Sequence, residues 1–271
     1  MPRSLLCLSI LALAAAACAQ QPANPTPAAP ATDWTTQHNR QLLEDYPWLA
    51  RFRAIDAALP VPAPGEQRIV YMGDSITENW QHDGVPVTPT LPTNLANPGN
   101  PANPANPGDG AWVKINRGIS GQTSPQMLLR FRQDAIDLKP SVVLLLAGTN
   151  DIAANTGPMT IEDTENNIAS MADLAEVHHI PMVLCSVLPA VDFPWHPGLA
   201  PAEKIKTLNA WIKAYAAQHH LVYADYWSSM ANPAGGLPAN LSKDGVHPNS
   251  AGYAIMNPLA DAAIRQALAQ K

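Results

Sequence analysis

Four short clusters in this chain bring a hydroxyl, an imidazole, carboxylates and small or amide-bearing residues into a fixed order. They are Gly73-Asp74-Ser75, Gly121, Gly148-Thr149-Asn150-Asp151 and Asp244-Gly245-Val246-His247. By residue type, Ser75 can be a nucleophile, His247 its general base and Asp244 the group that orients that base. The backbone N–H of Gly121 and the side-chain amide of Asn150 can donate to an oxyanion. The spacing of Asp244 and His247 lets the carboxylate hold Nδ1–H and leaves Nε2 for Ser75. Each cluster alone has a plainer reading as a capped turn, a glycine turn or a loop pair. Their conjunction points to acyl transfer through a covalent serine intermediate.

Such groups must be held by a scaffold, and the apolar pattern supplies one. Short runs of strand type occur at Arg68 to Met72, Trp112 to Ile115, Val142 to Leu146, Met182 to Val187 and Leu221 to Ala224. Helical stretches fall near Pro125 to Leu138, Thr160 to His179, Ala202 to His219 and Ser250 to Ala269. Strands alternating with helices imply right-handed crossovers and a parallel sheet covered on both faces, an α/β fold. Ligands of open parallel sheets gather at the carboxyl ends of the strands, where three of the clusters fall. Ser75 is followed by Ile76 to Trp80, which can open a helix and place its hydroxyl and N–H at the positive helix end. Asp74 can accept local N–H groups, and Asp151 is expected to support the third cluster. Trp80 and Trp195 stand near strand ends or long loops and are candidates to line a substrate pocket.

The four blocks together resemble those of the SGNH/GDSL hydrolase family, over about Arg68 to the C-terminus. The resemblance implies a flavodoxin-like three-layer α/β/α sandwich with a mainly five-stranded parallel sheet. It also implies metal-free, cofactor-free ester hydrolysis and an oxyanion hole made by the Ser75 N–H, the Gly121 N–H and the Asn150 side chain. Removal of acetyl or other short acyl groups, on a small molecule or a carbohydrate, is the expected activity. A lysophospholipase or thioesterase, or a silent envelope- or carbohydrate-binding protein on the same fold, are the alternatives.

The rest of the chain bounds where this chemistry takes place. With 271 residues, 46% hydrophobic and 14% charged, the chain can bury one catalytic core. Sixteen Lys+Arg against 22 Asp+Glu leave a net charge of -6, with no basic cluster for nucleic acid. Residues 1–19 read as an export signal, with Arg3 before the apolar run Leu5 to Leu13. Two processing sites compete there. Ala17-Cys18-Ala19 fits signal cleavage, whereas Ala15-Ala16-Ala17-Cys18 resembles a lipoprotein box that would attach an acylated Cys18 to a membrane. The expected location is accordingly the bacterial periplasm or the outer membrane, or otherwise the medium. Residues 20–36 form a Pro/Ala-rich tether, 37–66 a helical extension interrupted at Pro47, and 67–271 the hydrolase domain. Within that domain, 83–110 holds a low-complexity Asn-Pro loop. Cys185, in an apolar run, reads as a small buried hydrophobe, and the pairs His178-His179 and His219-His220 as helix ends. Neither pair has a partner at metal-ligand spacing.

Overall fold

The computed structural model describes residues 34–82, 85–86 and 112–270. The export signal with Cys18, the tether before residue 34 and nearly all of the Asn-Pro loop lie outside the described residues.

Five parallel strands form the main sheet: β1 (Gln67–Gly73), β2 (Trp112–Gly118), β3 (Val142–Leu146), β4 (Met182–Cys185) and β5 (Val222–Ala224). Their order is β2-β1-β3-β4-β5, the flavodoxin-like arrangement expected from the blocks. Because β2 lies on one side of β1 and β3 on the other, the chain reverses its direction of travel across the sheet at β1. A crevice opens there at the carboxyl ends of β1 and β3.

Alternate side chains of each strand feed two cores. Val70, Met72, Val143 and Leu145 face one side, where they meet α4 (Ser124–Asp134), α6 (Ile161–Val177) and α7 (Ala202–Gln218). Ile69, Tyr71, Val142, Leu144 and Leu146 face the other, against α9 (Ser250–Ala269). Burial on both faces explains why the strands read as unbroken apolar runs. Single-turn helices α3 (Ser75–Glu78), α5 (Thr149–Ile152) and α8 (Trp227–Met230) follow β1, β3 and β5.

Two N-terminal helices, α1 (Trp34–Glu44) and α2 (Ala50–Ala58), lie against the β2 side. α1 begins three residues ahead of the expected extension. The extension is fastened by polar ties as well as by Phe52, which is 1% exposed. Gln122 Nε2 donates to Pro47 O at 2.8 Å, Gln126 Nε2 to Tyr46 O at 2.7 Å and Gln133 Nε2 to Leu49 O at 2.8 Å. Arg117 pairs with Asp56, and its guanidinium carbon sits 4.7 Å from the Phe52 ring centroid. The first of these ties reaches Gln122, next to Gly121, so the extension borders the crevice.

Candidate active site

β1 ends at Gly73, in register with Gly118 of β2 and Leu146 of β3. Ser75, Gly121 and Asn150 each follow shortly after, so the register brings three of the four clusters to one rim. The turn after β1 is tight. A Cβ on Gly73 would stand 2.1 Å from Thr77 Oγ1 and 2.8 Å from Leu146 O, and one on Gly118 2.1 Å from Glu78 N. Asp74 caps α3 by accepting the Ile76 N–H at 2.9 Å. Ser75 is the first residue of α3, and an N–H in that position has no acceptor within its own helix.

His247 arrives on the loop between α8 and α9. Ser75 Oγ lies 2.8 Å from His247 Nε2, and His247 Nδ1 lies 2.6 Å from Asp244 Oδ2. With Nδ1–H donating to the carboxylate, Nε2 is free to accept the Ser75 hydroxyl proton. The Asp-x-x-His loop builds this geometry locally. Asp244 Oδ1 accepts the backbone N–H of His247 at 2.8 Å and of Val246 at 3.0 Å, and the Ser242 hydroxyl at 3.0 Å. Burial works to raise the Asp244 pKa, but the bonds from the His247 ring and from the two backbone N–H groups prevail and hold it at about 2. The carboxylate is therefore charged at any pH where the imidazole can act as a base. His247 retains 33% side-chain exposure, so the pair opens to solvent.

On the opposite wall, Gly121 has a φ of +79°, which a glycine adopts without strain. Asn150 is buried, and its amide nitrogen donates to Gln122 O at 3.0 Å and to Asp74 Oδ2 at 3.2 Å. The amide is thus turned toward the nucleophile turn. Beneath it, buried Arg130 donates to Gln122 Oε1 at 2.5 Å, to Gly73 O at 3.0 Å and to Asp134 Oδ2 at 3.1 Å. One guanidinium thereby ties the end of β1 to the segment of Gly121.

The two aspartates flagged as supporting do different work. Asp74 is fully buried, which pushes its carboxyl up to about 7 despite the Ile76 N–H and the nearby His247. Asp151 is engaged by Ser124: both of its oxygens accept the Ser124 N–H at 3.0 Å, and Ser124 Oγ bonds it too. It anchors α5 to the start of α4. Burial raises its pKa, opposed by those Ser124 bonds.

Trp80, a candidate to line a substrate pocket, is instead 0% exposed, and this corrects the expectation. Its ring packs edge-on against Tyr71 and Tyr226, and its Nε1 donates to Asn257 Oδ1 at 2.9 Å. Trp195 does reach the site. It is 38% exposed, stacks on Phe193 and has its ring centroid 5.9 Å from that of His247. Cys185 is buried 3.6 Å from Tyr226 OH, and burial pushes its thiol up to about 12, so it is unreactive at neutral pH. His178 and His219 follow the last residues of α6 and α7. No group of three or more His, Cys, Asp or Glu among the described residues could hold a metal ion.

The sequence pattern missed two neighbours of the crevice. Asn155 Nδ2 donates to Asn150 Oδ1 at 2.7 Å, and the point where a Gly121 Cβ would stand is 3.6 Å from His38 Cε1 of α1. Burial lowers the His38 pKa and favours its neutral form. A repeat of Asn at the fifth position after Asn150 was the available signal for the first. A cavity of about 300 Å³ lies between α1 and Trp48, and none of the clustered residues lines it.

Comparisons with known proteins place the chain by family and fold. A GDSL-like lipase from Bacteroides thetaiotaomicron is 40% identical, with a TM-score of 0.70 over 82% of this chain and all of that structure. An acetylxylan esterase from Xylanibacter ruminicola is 28% identical over 264 residues, 86% of this chain and 48% of its own. The lipoprotein YqeF of Bacillus subtilis is 30% identical over 81 residues, 29% of this chain and 33% of its own. This chain therefore spans about half or less of the curated relatives it matches. At 17% identity and a TM-score of 0.55, the acetylxylan esterase Axe2 from Geobacillus stearothermophilus shares the fold, over 76% of this chain and 96% of its own. The model of one family runs from residue 71 to 255 and so encloses every cluster from Ser75 to His247, and the chain belongs to that family, the GDSL-like lipases and acylhydrolases.

Proposed function

We infer that the protein is an exported serine esterase that removes short acyl groups, acetyl above all, from small molecules or carbohydrate. The observation that carries this reading is the continuous contact from Ser75 Oγ to His247 Nε2 at 2.8 Å and from His247 Nδ1 to Asp244 Oδ2 at 2.6 Å. Ser75 Oγ attacks the ester carbonyl while its proton passes to Nε2. The carbonyl electron pair moves onto oxygen, where the N–H groups of Ser75 and Gly121 and the Asn150 amide stabilise it. Collapse expels the alcohol, which takes the proton from His247. Water then attacks the acyl-serine with His247 again as base and releases the acid. Asp244 stays ionised throughout.

Below pH 7 a mostly neutral Asp74 suits this arrangement, because a second full negative charge beside the oxyanion would oppose its formation. Two relatives carry the name acetylxylan esterase, which supports an acetylated carbohydrate as the substrate class. The N-terminal signal and the likeness to a lipoprotein support export, with Cys18 as the point of membrane attachment.

The test is a rate series on nitrophenyl acetate, butyrate and octanoate, with acetylated xylan beside them and Ser75→Ala as the control. Fast acetyl release that vanishes in the control is expected. A steep rise toward octanoate would overturn the short-acyl preference, and undiminished hydrolysis by Ser75→Ala would overturn the mechanism.

A further inference from the structure

Asn150 can donate to an oxyanion only if its amide nitrogen, rather than its oxygen, faces the nucleophile turn. The two ends of a carboxamide are nearly the same size, so packing alone does not choose between them. Hydrogen bonding must choose: Gln122 O, which can only accept, takes the nitrogen end, and a chain of three side chains holds the oxygen end. Trp195 Nε1 donates to Asn155 Oδ1 at 2.9 Å, and Asn155 Nδ2 donates to Asn150 Oδ1 at 2.7 Å. Asn150 Nδ2 is left to donate to Gln122 O and Asp74 Oδ2.

The polarity of this chain starts at the indole. Its N–H is a donor with no acceptor capacity, so Asn155 must present its oxygen to Trp195 and its nitrogen to Asn150. Asn150 must then present its oxygen to Asn155 and its nitrogen to the crevice. Asn155 Nδ2 also approaches Gly121 O at 3.3 Å, so one amide touches two of the three residues expected to donate to the oxyanion. Asn155 is held for this task by its backbone, whose N–H donates to Asn150 O at 3.0 Å after Ala154 turns the chain at a φ of +55°.

We propose that Asn155, latched by Trp195, is a positioning residue that keeps the Asn150 amide nitrogen turned into the oxyanion site. This rests on the esterase reading above and adds to it a dependence of turnover on the direction of a hydrogen-bond chain. Trp195 is half exposed at the mouth beside His247, so the chain runs from the surface that meets substrate to the group that stabilises the oxyanion.

The isosteric variant Asn155→Asp separates orientation from packing. Its carboxylate still accepts the Trp195 N–H but offers Asn150 Oδ1 an acceptor, so the Asn150 amide turns over. The expected kcat falls by about a hundredfold, the cost typical of losing one oxyanion donor, with KM changed much less. Asn155→Ala, which merely frees the amide, falls less. As pH drops, the introduced carboxyl protonates and can donate to Asn150 Oδ1, so the ratio of N155D to parent kcat rises. An N155D kcat at or above that of N155A, or a ratio flat in pH, overturns the proposal. If N155D does not fold, Trp195→Phe decides. It keeps an aromatic ring and removes the N–H, so kcat should fall about tenfold, and an unchanged kcat overturns the proposal. Ser75→Ala assayed in parallel tests the esterase reading separately. Should that reading fail, the Asn150 side-chain amide signals in ¹H–¹⁵N spectra still report orientation: displaced in N155D supports the proposal, and unmoved overturns it.

Discussion

Gly118 of β2 lies against the backbone of Glu78, so close that a Cβ there would stand 2.1 Å from the Glu78 nitrogen. Helix α3, which begins at Ser75, is therefore seated on a bare strand end. Gly118→Ala must push α3 off that seat, because the obstacle is backbone and cannot rotate away. Overpacking of this kind costs about 1–3 kcal/mol. Denaturant unfolding should show that loss, and turnover should fall with it, since the shift passes directly into the Ser75 turn.

Removing Ser75 or His247 should lower kcat by about a thousandfold or more, because residues acting as one unit lose nearly everything together. Asp244→Asn tests the orienting role separately. The amide would favour the wrong imidazole tautomer, so kcat should drop by a comparable factor, far more than the modest loss of melting temperature expected from removing a carboxylate whose pKa is held at about 2. A fluorophosphonate probe, followed by intact-mass measurement, should label the parent at Ser75 and leave Ser75→Ala untouched.

Asn150→Ala should cost about a hundredfold in kcat, with KM within a few-fold, because the interaction strengthens as the oxyanion forms. Steady-state kinetics on one nitrophenyl ester is sufficient to check the split. A rise in KM at constant kcat would instead mark Asn150 as a ground-state contact.

Two buried or bonded carboxyls impose opposite pH signatures on stability. Asp74 is raised to about 7, mainly by burial, so its contribution is full below its unfolded value near 3.8 and is lost as pH rises through about 7. Asp244 is lowered to about 2, so its contribution is present above its unfolded value and is lost as pH falls through about 2. Melting curves from pH 4 to 8 should therefore show Asp74→Asn gaining on the parent as pH rises. A constant difference across that range would contradict the assignment.

Strand β3 was legible because both faces of Val142 to Leu146 are buried, which leaves an unbroken apolar run. The end of β2 was not, because its buried residues are polar and satisfied by partners that no local pattern reveals. Asn116 Nδ2 donates to Thr77 O at 2.6 Å, and Arg117 pairs with Asp56 of the N-terminal extension. Asp244 and His247 could be read as a pair because their contact is made within one loop. Asn155 and His38 could not, since each reaches Gly121 through tertiary packing. Trp80 was misplaced for a related reason: position near a strand end does not say which side of the turn an aromatic ring will occupy, and here Tyr71, Tyr226 and Tyr253 enclose it.

The contact between Ser75 and His247 joins positions 172 residues apart, and this separation has a kinetic meaning. Closing so long a loop is entropically costly until the sheet between the two ends exists. The nucleophile turn rests on β1 and its neighbours, whereas its base is supplied by the loop ahead of α9. Until both ends are in place the serine is unarmed, so reactivity toward a phosphonate during refolding should report completion of the molecule.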